Sequence, residues 1–372
     1  MRILILGNSN LVVFRFRKEL IRRLVLEGND VWTSFPNGPF GEGKKSAEEF
    51  GCHFIETKMN RWGTSIWHDI KLLLKYIKLI RRLSPDVVLA FTVKPDIYGG
   101  IACRICKTPF LPNITGIGKG LDEGGFIAKI ICSLYRVALS KARCVFFQNE
   151  QDREYFRSKS INTMADCVLP GSGVNLDEFI PLEYPPEKPI RFIFIGRIMK
   201  AKGIDQYLEA AKQIRKRHGD AEFHVCGYLE EDYMDVFTEL QESGTIIYHG
   251  LVGDMTSFLS QSHCVILPTS HPEGVSNVLL EGAACARPLI TTNRHGCRET
   301  VDDSVTGFLI KEYNSGDLIE KIERFIALTN NEQRDMGLAG RHKVEQSFDR
   351  NIVVEQYLRV IGSCAKKSVL LR

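Results

Sequence analysis

Short apolar runs and amphipathic stretches alternate along the first half of the chain. The pattern predicts a strand at 2–6, a helix at 13–27 closed by Gly28, and a second strand at 30–34. Three further apolar runs predict strands, at 87–91, 110–113 and 144–148. Helical stretches separate them, which is typical of a parallel sheet with helices on both faces. The first half is therefore predicted to be a doubly wound α/β domain.

A proline-rich segment interrupts this alternation, which then begins again. Residues 181–189 read PLEYPPEKP, with three prolines in the last five positions and no apolar periodicity, which indicates a linker. Beyond it, strands are predicted at 191–195, 222–226, 245–248, 264–267 and 289–292, and closing helices at 315–328, 331–346 and 349–361. The second half is therefore predicted to be another doubly wound sheet.

The predicted architecture is α/β, with two Rossmann-like domains that face each other across a cleft. The N-terminal domain covers 1–180, the linker 181–190 and the C-terminal domain 191–345. We expect the helix in 346–372 to cross back to the N-terminal domain. Ligands of open α/β sheets bind beyond the carboxyl ends of the strands, so chemistry is expected in the cleft.

Composition supports a soluble protein with two cores. The 372 residues are 44% hydrophobic and 25% charged, and a single core rarely grows beyond about 300 residues. The opening MRILILG is too short for a signal peptide, or for the run of about 20 apolar residues that spans a membrane. The eleven cysteines are scattered along the chain, and an odd count cannot all pair, which predicts reduced, mostly buried thiols. A cytoplasmic protein is expected.

The net charge of +4 is divided unevenly between the two halves. Residues 1–180 carry 26 Lys and Arg against 18 Asp and Glu, a balance of +8, whereas residues 181–372 carry 23 against 27, a balance of −4. This asymmetry predicts that the N-terminal half binds an anionic partner. The candidates are a membrane surface, a phosphorylated acceptor and nucleic acid.

A pair of cations follows the first predicted strand of the C-terminal half. In FIFIGRIMKAKGI, residues 192–204, the strand ends at Gly196, Arg197 follows at once, and Lys202 comes five residues later at a helix start. Two cations beside the N–H groups of a helix N-terminus form a diphosphate site that needs no metal. The alternative is a solvated pair on an ordinary loop.

Two glutamates lie eight positions apart in HPEGVSNVLLEGAACARPLITT, residues 271–292. Glu273 precedes a tight turn, and Glu281 lies on the predicted helix 276–285, on the face that also carries Asn277. The first carboxylate suits sugar hydroxyls, and the second suits a ribose diol. The N–H groups predicted to hold phosphate oxygens are those of Gly274, Val275 and Ser276. Alternatively, Glu273 is an ordinary helix-terminal charge and Glu281 a bridging carboxylate.

A basic amphipathic stretch occupies residues 66–86. Its hydrophobic positions are expected to form one broad stripe: Ile66, Ile70, Leu73, Leu74, Ile77, Ile80 and Leu83. The cations beside it are Lys71, Lys75, Lys78, Arg81 and Arg82, and the first helix adds Arg15 and Arg17. Such a surface suits anionic lipid, each cation contributing on the order of 1 kcal/mol, or a lipid diphosphate acceptor. The alternative is a core-packed helix with a solvated basic face.

The order of these motifs resembles glycosyltransferase family four, whose members are retaining enzymes of the GT-B fold. The resemblance covers essentially the whole chain and is strongest over 190–310, where GRIMKAKG, EGVSNVLLE and RPLITTNRHGCRETVDDSVTGFLI follow in the family's order. It implies that Arg197 and Lys202 bind the donor phosphates. It also implies that Glu273 contacts the transferred sugar and Glu281 the ribose. Further donor contacts fall on a base-binding loop, at Gly250 and Leu251, and on the first loop and strand ends, at Gly7, Asn8 and Gly196.

The N-terminal half departs from the family's pattern after its fourth strand. Many members carry a His there, whereas FTVKPDIYGG, residues 91–100, has none and offers Thr92, Lys94 and Asp96. Lys94 is expected to act electrostatically instead. The RFRKEL helix and the NITGIG segment at 113–118 are more similar to bacterial enzymes that extend lipid-linked oligosaccharides for capsule, O-antigen or protein glycans.

The resemblance implies a retaining glycosyltransferase with Glu273, Lys202, Arg197 and Lys94 at its reaction centre. The expected reaction moves a hexose or N-acetylhexosamine from a UDP-sugar to a polyprenyl-diphosphate-linked saccharide in cell-surface polysaccharide assembly. No cofactor, metal or nucleic acid is expected, and the expected location is cytoplasmic, peripheral on the inner face of the plasma membrane. Two alternatives stay open, a UDP-sugar 2-epimerase of the same fold and a non-catalytic scaffold.

Overall fold

The computed structural model consists of two compact units, each of which is an α/β sheet with helices. It describes residues 1–38, 41–60, 65–122, 124–161 and 163–368. Unit 1 comprises Met1–Ser172 and Asn351–Arg372, and unit 2 comprises Gly173–Arg350. The chain enters unit 2 ahead of the proline-rich segment, because Val174 and Phe179 are buried in the core of that unit.

Seven parallel strands form the sheet of unit 1. They are β1 (Arg2–Leu6), β2 (Asp30–Phe35), β3 (His53–Glu56), β4 (Val87–Phe91), β5 (Phe110–Ile114), β6 (Val145–Phe147) and β7 (Asp166–Val168). Their spatial order is β3-β2-β1-β4-β5-β6-β7. Leu4 of β1 pairs with Trp32 on one side and Val88 on the other, so the order reverses between β1 and β4. This confirms the predicted doubly wound sheet, although the pattern does not predict the short strands β3 and β7.

Helices cover both faces of this sheet. They are α1 (Lys18–Leu26), α2 (Glu42–Glu49), α3 (Ile66–Leu83), α4 (Gly100–Cys106), α5 (Lys119–Asp122), α6 (Gly125–Leu139) and α7 (Glu150–Ser158), together with α14 (Arg350–Ser368) at the end of the chain. Residues of α3, α4, α6 and α7 share one buried cluster with the sheet. Residues of α1 and α14, among them Leu20 and Tyr357, belong to the cluster on the opposite face.

The helix predicted at 13–27 is two separate elements. A π-helical turn, Leu11–Arg15, precedes α1. Between them Arg17 has a non-helical φ of −131° and is 3% exposed. Its guanidinium donates to Ser172 Oγ at 2.9 Å and lies 4.7 Å from the ring centre of Phe91. The helix is interrupted where the backbone turns this side chain into the core.

Unit 2 repeats the arrangement with six parallel strands. They are β8 (Arg191–Ile195), β9 (Glu222–Cys226), β10 (Ile247–Tyr248), β11 (Cys264–Leu267), β12 (Leu289–Thr292) and β13 (Gly307–Ile310). Their order is β10-β9-β8-β11-β12-β13, with Ile193 of β8 paired to Val265 of β11. Four of the five predicted strands have the predicted bounds, β10 is shorter, and the pattern does not predict β13.

The helices of unit 2 follow the predicted order. They are α8 (Ile204–Arg217), α9 (Met234–Glu242), α10 (Met255–Gln261), α11 (Asn277–Ala284), α12 (Ser315–Ile326) and α13 (Asn330–Ser347), and 3-10 turns lie at Lys200–Lys202 and Arg298–Thr300. The three predicted closing helices correspond to α12, α13 and α14. Within the described part of the chain, no helix combines the length and apolarity needed to cross a membrane.

The proline-rich segment is hydrogen-bonded to unit 2. Tyr184 donates its hydroxyl to His263 O at 3.0 Å, and His263 Nε2 lies 2.9 Å from Pro186 O. The buried Arg287 donates to Glu183 O at 2.6 Å. These contacts make residues 183–186 part of the surface of unit 2.

The cysteines are all free thiols, as their scattered spacing and odd count predict. All but Cys106 and Cys167 are buried. Burial raises the pKa of Cys285 to about 12, so that this thiol stays protonated at neutral pH.

Candidate active site

The two motifs of the C-terminal half meet where the strand order of unit 2 reverses. Gly196 and Arg197 follow β8, and residues 268–276 follow β11, which is the neighbour of β8 in the sheet. Loops on either side of such a reversal diverge and leave a crevice at the carboxyl ends of the strands. The topology therefore places the cations and the first glutamate at the ligand-binding edge.

Hydrogen bonds join the loops after β8 and β11. Ser270 N–H donates to Ala201 O at 2.9 Å, and Thr269 Oγ1 donates to the same carbonyl at 3.2 Å. Gly203, with a φ of +79°, lies so close to the second loop that a Cβ built on it would be 2.0 Å from Pro268 O. Lys202 is thereby held opposite residue 273.

Four side chains from two loops form one polar cluster, the donor cluster: Arg197, Lys202, His271 and Glu273. Lys202 Nζ donates to Glu273 Oε1, and the side chains are 13% and 19% exposed. Arg197 Nη2 lies 3.3 Å from His271 Nε2, and Arg197 Nη1 lies 3.8 Å from Glu230 Oε1. Two partly buried cations, Lys202 bound to Glu273 and Arg197 beside His271, make a site for an anion with two charged groups.

Sequence reasoning missed His271 and Glu230. His271 stands two positions before Glu273 within the segment already singled out, but a lone histidine carries no signal of its own. Its pKa is lowered to about 4, chiefly by burial; Glu273 opposes this shift, and Lys202 and Arg197 contribute to it. The imidazole is therefore neutral at physiological pH.

The N-terminus of α11 carries the predicted phosphate-binding segment, with one correction. Gly274, Val275 and Ser276 are buried ahead of the helix, which begins at Asn277. Ser276 N–H donates to Gly296 O at 2.7 Å and is not available to a phosphate. Gly296 has a φ of +81°, and a Cβ there would be 2.6 Å from Glu273 O, so this loop packs directly on the donor cluster.

Glu281 lies one turn along α11 from Asn277, as the spacing predicts. It is 6% exposed, and Asn277 Oδ1 is a buried atom without a hydrogen-bond partner. A buried carboxylate and an unsatisfied amide oxygen on one helix face fit a ligand hydroxyl donor. The ribose contact remains a prediction.

Glycines end three neighbouring strands of unit 2. Gly196 N–H donates to Cys226 O at 3.0 Å, and Gly227 N–H donates to Gly250 O at 2.8 Å. A Cβ on Gly227 would be 1.7 Å from Gly196 O, so the backbones approach as closely as glycine allows. Leu251, beyond them, is 79% exposed. The predicted base-binding loop is therefore exposed, and Gly227 connects it to Gly196, the residue before Arg197 of the donor cluster.

The predicted N-terminal site residues lie in unit 1. Gly7 N–H donates to Ser34 O at 3.1 Å at the end of β1, with Asn8 next to it. Lys94 follows β4, and its Nζ donates to Asp69 Oδ1 of α3 at 2.6 Å. Lys94 therefore carries an ion pair that ties its loop to α3, which sequence reasoning does not predict.

The predicted single stripe on α3 is wrong. The buried positions are Leu72, Tyr76, Leu79, Ile80 and Leu83, whereas Ile66, Trp67, Ile70 and Leu74 are exposed. The cations Lys71, Lys75, Lys78, Arg81 and Arg82 are exposed as well. The apolar residues that α4 and the sheet do not cover form a second face beside the cations, and we call these four residues the α3 ridge.

Two of the predicted lipid-contact cations lie outside α3, and only one is accessible. Arg15 is exposed. Arg17 is buried beneath Phe91 and is corrected to a core residue of unit 1.

Lysine side chains line a groove beside α3. It has a volume of about 590 Å³, and its charged or polar lining residues are Lys58, Asn60, His68, Asp69, Lys71 and Lys75. Asp69 is already engaged by Lys94, so the lysines dominate the lining. Among the described residues no cluster of three or more His, Cys, Asp or Glu side chains could hold a metal.

The fold and the site together define a class. The two parallel sheets have the same doubly wound order, and a cationic cluster lies at the strand reversal of the second, where ligands of such sheets bind. Residues 2–149 match the family model described as glycosyl transferase 4-like, and residues 177–343 match glycosyl transferases group 1.

Similar proteins agree with this class. The chain is 25% identical, over 98% of its length and 100% of the relative's, to N,N'-diacetylbacillosaminyl-diphospho-undecaprenol alpha-1,3-N-acetylgalactosaminyltransferase of Campylobacter jejuni. It is 26% identical, over 85% of its length and 86% of the relative's, to the capsular polysaccharide biosynthesis glycosyltransferase CapM of Staphylococcus aureus. The crystal structure of Anabaena Alr3699/HepE in complex with UDP superposes with a TM-score of 0.79 and 15% identity, over 98% of this chain and 100% of that one.

The chain belongs to the GT-B glycosyltransferases and is of the family-four-like type. The predicted fold class and family resemblance are confirmed.

Proposed function

We propose that the protein transfers a hexose or N-acetylhexosamine from a UDP-sugar to a polyprenyl-diphosphate-linked saccharide, without a metal and with retention at the anomeric carbon. The observation that carries the proposal is the donor cluster at the strand reversal of unit 2. There Lys202 and Arg197 supply the positive charge that a metal supplies in other enzymes.

The chemistry follows from these residues. The bond between the anomeric carbon and the β-phosphate oxygen breaks, and the acceptor hydroxyl oxygen bonds to the same carbon on the same face. The acceptor proton passes to the departing phosphate oxygen. Lys202 turns from Glu273 towards the diphosphate, and the Glu273 carboxylate accepts hydrogen bonds from the sugar hydroxyls. Lys94 acts in this proposal through its charge alone.

The names of similar proteins support a UDP-sugar as the donor and a polyprenyl-diphosphate-linked saccharide as the acceptor. HepE was crystallised with UDP, and the Campylobacter relative is named for a diphospho-undecaprenol acceptor. In this chain the groove lined by Lys58, Lys71 and Lys75 is charged for a diphosphate. The α3 ridge beside it is suited to acyl chains.

A membrane surface fits the same side of unit 1. Besides the α3 ridge, α6 exposes Phe126, Ile127 and Ile130 near its N-terminus, and both helices pack on the same face of the sheet. Apolar residues flanked by lysines are typical of helices that lie at a lipid interface. We propose peripheral binding to the inner, anionic leaflet, which delivers the lipid-linked acceptor.

The test is a transfer assay in EDTA. Purified protein is given a panel of UDP-sugars and an undecaprenyl-diphosphate-linked saccharide, products are identified by mass spectrometry, and the anomeric configuration is read by NMR. Glu273→Gln is expected to lower the rate about a hundredfold or more. The control variant Glu320→Gln, at an exposed position of α12, should transfer the sugar at the same rate as the natural protein. A changed UDP-sugar without acceptor would favour the epimerase, and no turnover with any pair would favour the scaffold.

A further inference from the structure

His271 belongs to the donor cluster, and the proposed reaction gives it no role. Its Nε2 lies 3.3 Å from Arg197 Nη2, its Nδ1 lies 2.9 Å from Pro272 O, and its backbone N–H donates to Thr269 Oγ1 at 3.1 Å. The side chain is 18% exposed. It is therefore fixed at three points between the strand end and Glu273.

These contacts determine the tautomer. A carbonyl oxygen only accepts hydrogen bonds, so Nδ1 carries the hydrogen towards Pro272 O. A guanidinium only donates, so Nε2 presents its lone pair to Arg197. Both contacts are satisfied only by the neutral imidazole with hydrogen on Nδ1, because the doubly protonated ring has no acceptor left.

The surroundings keep the ring in that state. Burial and the neighbouring Lys202 and Arg197 disfavour a further positive charge, which outweighs the attraction of Glu273, whose Oε1 is 3.9 Å from Nδ1. Histidine rather than a cationic residue at this position leaves the cluster with two cations and one carboxylate. An added cation would attract anions less selectively and would repel Arg197.

We propose that His271 is a positioning residue, which holds the Arg197 guanidinium at the donor phosphates by accepting a hydrogen bond on Nε2. Without this acceptor, the charged partner left to Arg197 among the residues that the structure describes is Glu230, at 3.8 Å in the loop after β9. The guanidinium would then turn towards that loop and away from Lys202. The inference rests on the proposed function, since it concerns the same UDP-sugar site.

Two substitutions separate this role from loop packing. In His271→Gln the terminal amide oxygen reaches the place of Nε2, so the bond from Arg197 is kept. In His271→Asn the shorter side chain reaches only the place of Nδ1, so the contact on the Pro272 side is kept and the acceptor is lost. The two variants differ by one methylene and have the same charge.

The experiment is calorimetric titration with UDP in EDTA, with thermal unfolding as the check on folding. His271→Asn is expected to weaken UDP binding about tenfold, the loss of one charge-assisted hydrogen bond. His271→Gln should stay within about threefold of the natural protein by the same reasoning. In an Arg197→Ala background, His271→Asn should have no further effect, because the residue acts through Arg197.

The outcomes are distinct. Equal losses in Asn and Gln, no loss in either, or an undiminished effect of Asn in the Arg197→Ala background would each overturn the proposal. If His271→Asn does not fold, His271→Gln decides alone: affinity within about threefold supports the acceptor role, and a tenfold loss overturns it. Absence of UDP binding by the natural protein would instead refute the proposed function.

Discussion

At the scale of single residues, the donor cluster depends on glycines, which have no side chain, as much as on charged side chains. Gly203 has a φ of +79° and packs against Pro268. Gly296 has a φ of +81° and packs against Glu273. The sequence motif includes Gly203, and its helix-start position explains why it could be predicted as part of the site. The loop after β12 carries no charge pattern that points to Gly296. Its role follows only from packing on Glu273, which a single sequence does not reveal.

Replacement of Gly203 should loosen the site. In Gly203→Ala the added Cβ would clash with Pro268 O and force a left-handed backbone on alanine, so we expect a loss of about 2 kcal/mol or more in the free energy of unfolding of unit 2. UDP affinity should fall as well, because Lys202 moves with the turn. Thermal unfolding and UDP titration provide the measurements.

The matched control is Gly219→Ala, in the turn after α8. No atom lies within 4 Å of a Cβ built on Gly219. This variant should match the natural protein in both measurements. Equal behaviour of the two variants would show that the close approach at Gly203 does not hold the loops together.

At the scale of elements, the alternating pattern predicts central strands well and helix faces poorly. β1, β8 and β11 are continuous apolar runs in the middle of their sheets, and their bounds are predicted correctly. α3 is different, because apolar residues occur all around it. Which of them are buried depends on α4 and the sheet, and periodicity alone grouped the exposed Ile66, Ile70 and Leu74 in one stripe with buried residues of the same helix.

The α3 ridge should determine binding to lipid. Changing Ile66, Ile70 and Leu74 to Ser removes exposed apolar area without touching the core, so binding to phosphatidylcholine vesicles with anionic phosphatidylglycerol should fall at least tenfold while the melting temperature is unchanged. Co-sedimentation of the protein with the vesicles measures this binding. Changing Lys71, Lys75 and Lys78 to Gln should weaken vesicle binding about a hundredfold, at about 1 kcal/mol per cation, and should reduce its salt dependence, to which Arg81 and Arg82 still contribute.

Leu338→Ser is the control for this surface. Leu338 is an apolar residue of unit 2 that is 47% exposed on α13. Its replacement should leave vesicle binding unchanged. Loss of binding in the control, or none in the ridge variant, would show that lipid contacts lie elsewhere.

At the scale of the whole molecule, the two units differ in how they respond to acid. Five histidines of unit 2 have lowered pKa values, chiefly through burial: His224, His249, His263, His271 and His295. For His263 and His271 the pKa falls to about 4. In unit 1, burial instead raises the pKa of Asp96 well above its usual range.

The sign of each effect follows from linkage. A histidine whose pKa is lower in the folded state favours folding above pH 6.5, the pKa of the unfolded chain, and that stability is lost as the pH falls towards 4. A buried carboxyl with a raised pKa acts in the opposite sense: it destabilises the fold as the pH rises above about 4. Unit 2 should therefore lose stability between pH 6.5 and 4, while Asp96 protects unit 1.

The tryptophans make this difference measurable. All three, at positions 32, 62 and 67, precede the start of unit 2. Melting followed by tryptophan emission reports on unit 1, whereas far-ultraviolet circular dichroism reports on both units. On acidification we expect a low-temperature transition in circular dichroism that precedes the change in emission. Coincident transitions at every pH would contradict the assignment of acid sensitivity to unit 2.

The central claim is that the donor cluster binds the nucleotide diphosphate through Lys202 and Arg197 without a metal, and titration of the protein with UDP in EDTA tests it most directly. We predict saturable binding that stabilises unit 2 by about 2.7 kcal/mol at 100 times the dissociation constant. Binding should be lost in Lys202→Met and kept in Lys212→Met, whose side chain is exposed on α8. Binding that requires magnesium, or that survives in Lys202→Met, would contradict the account.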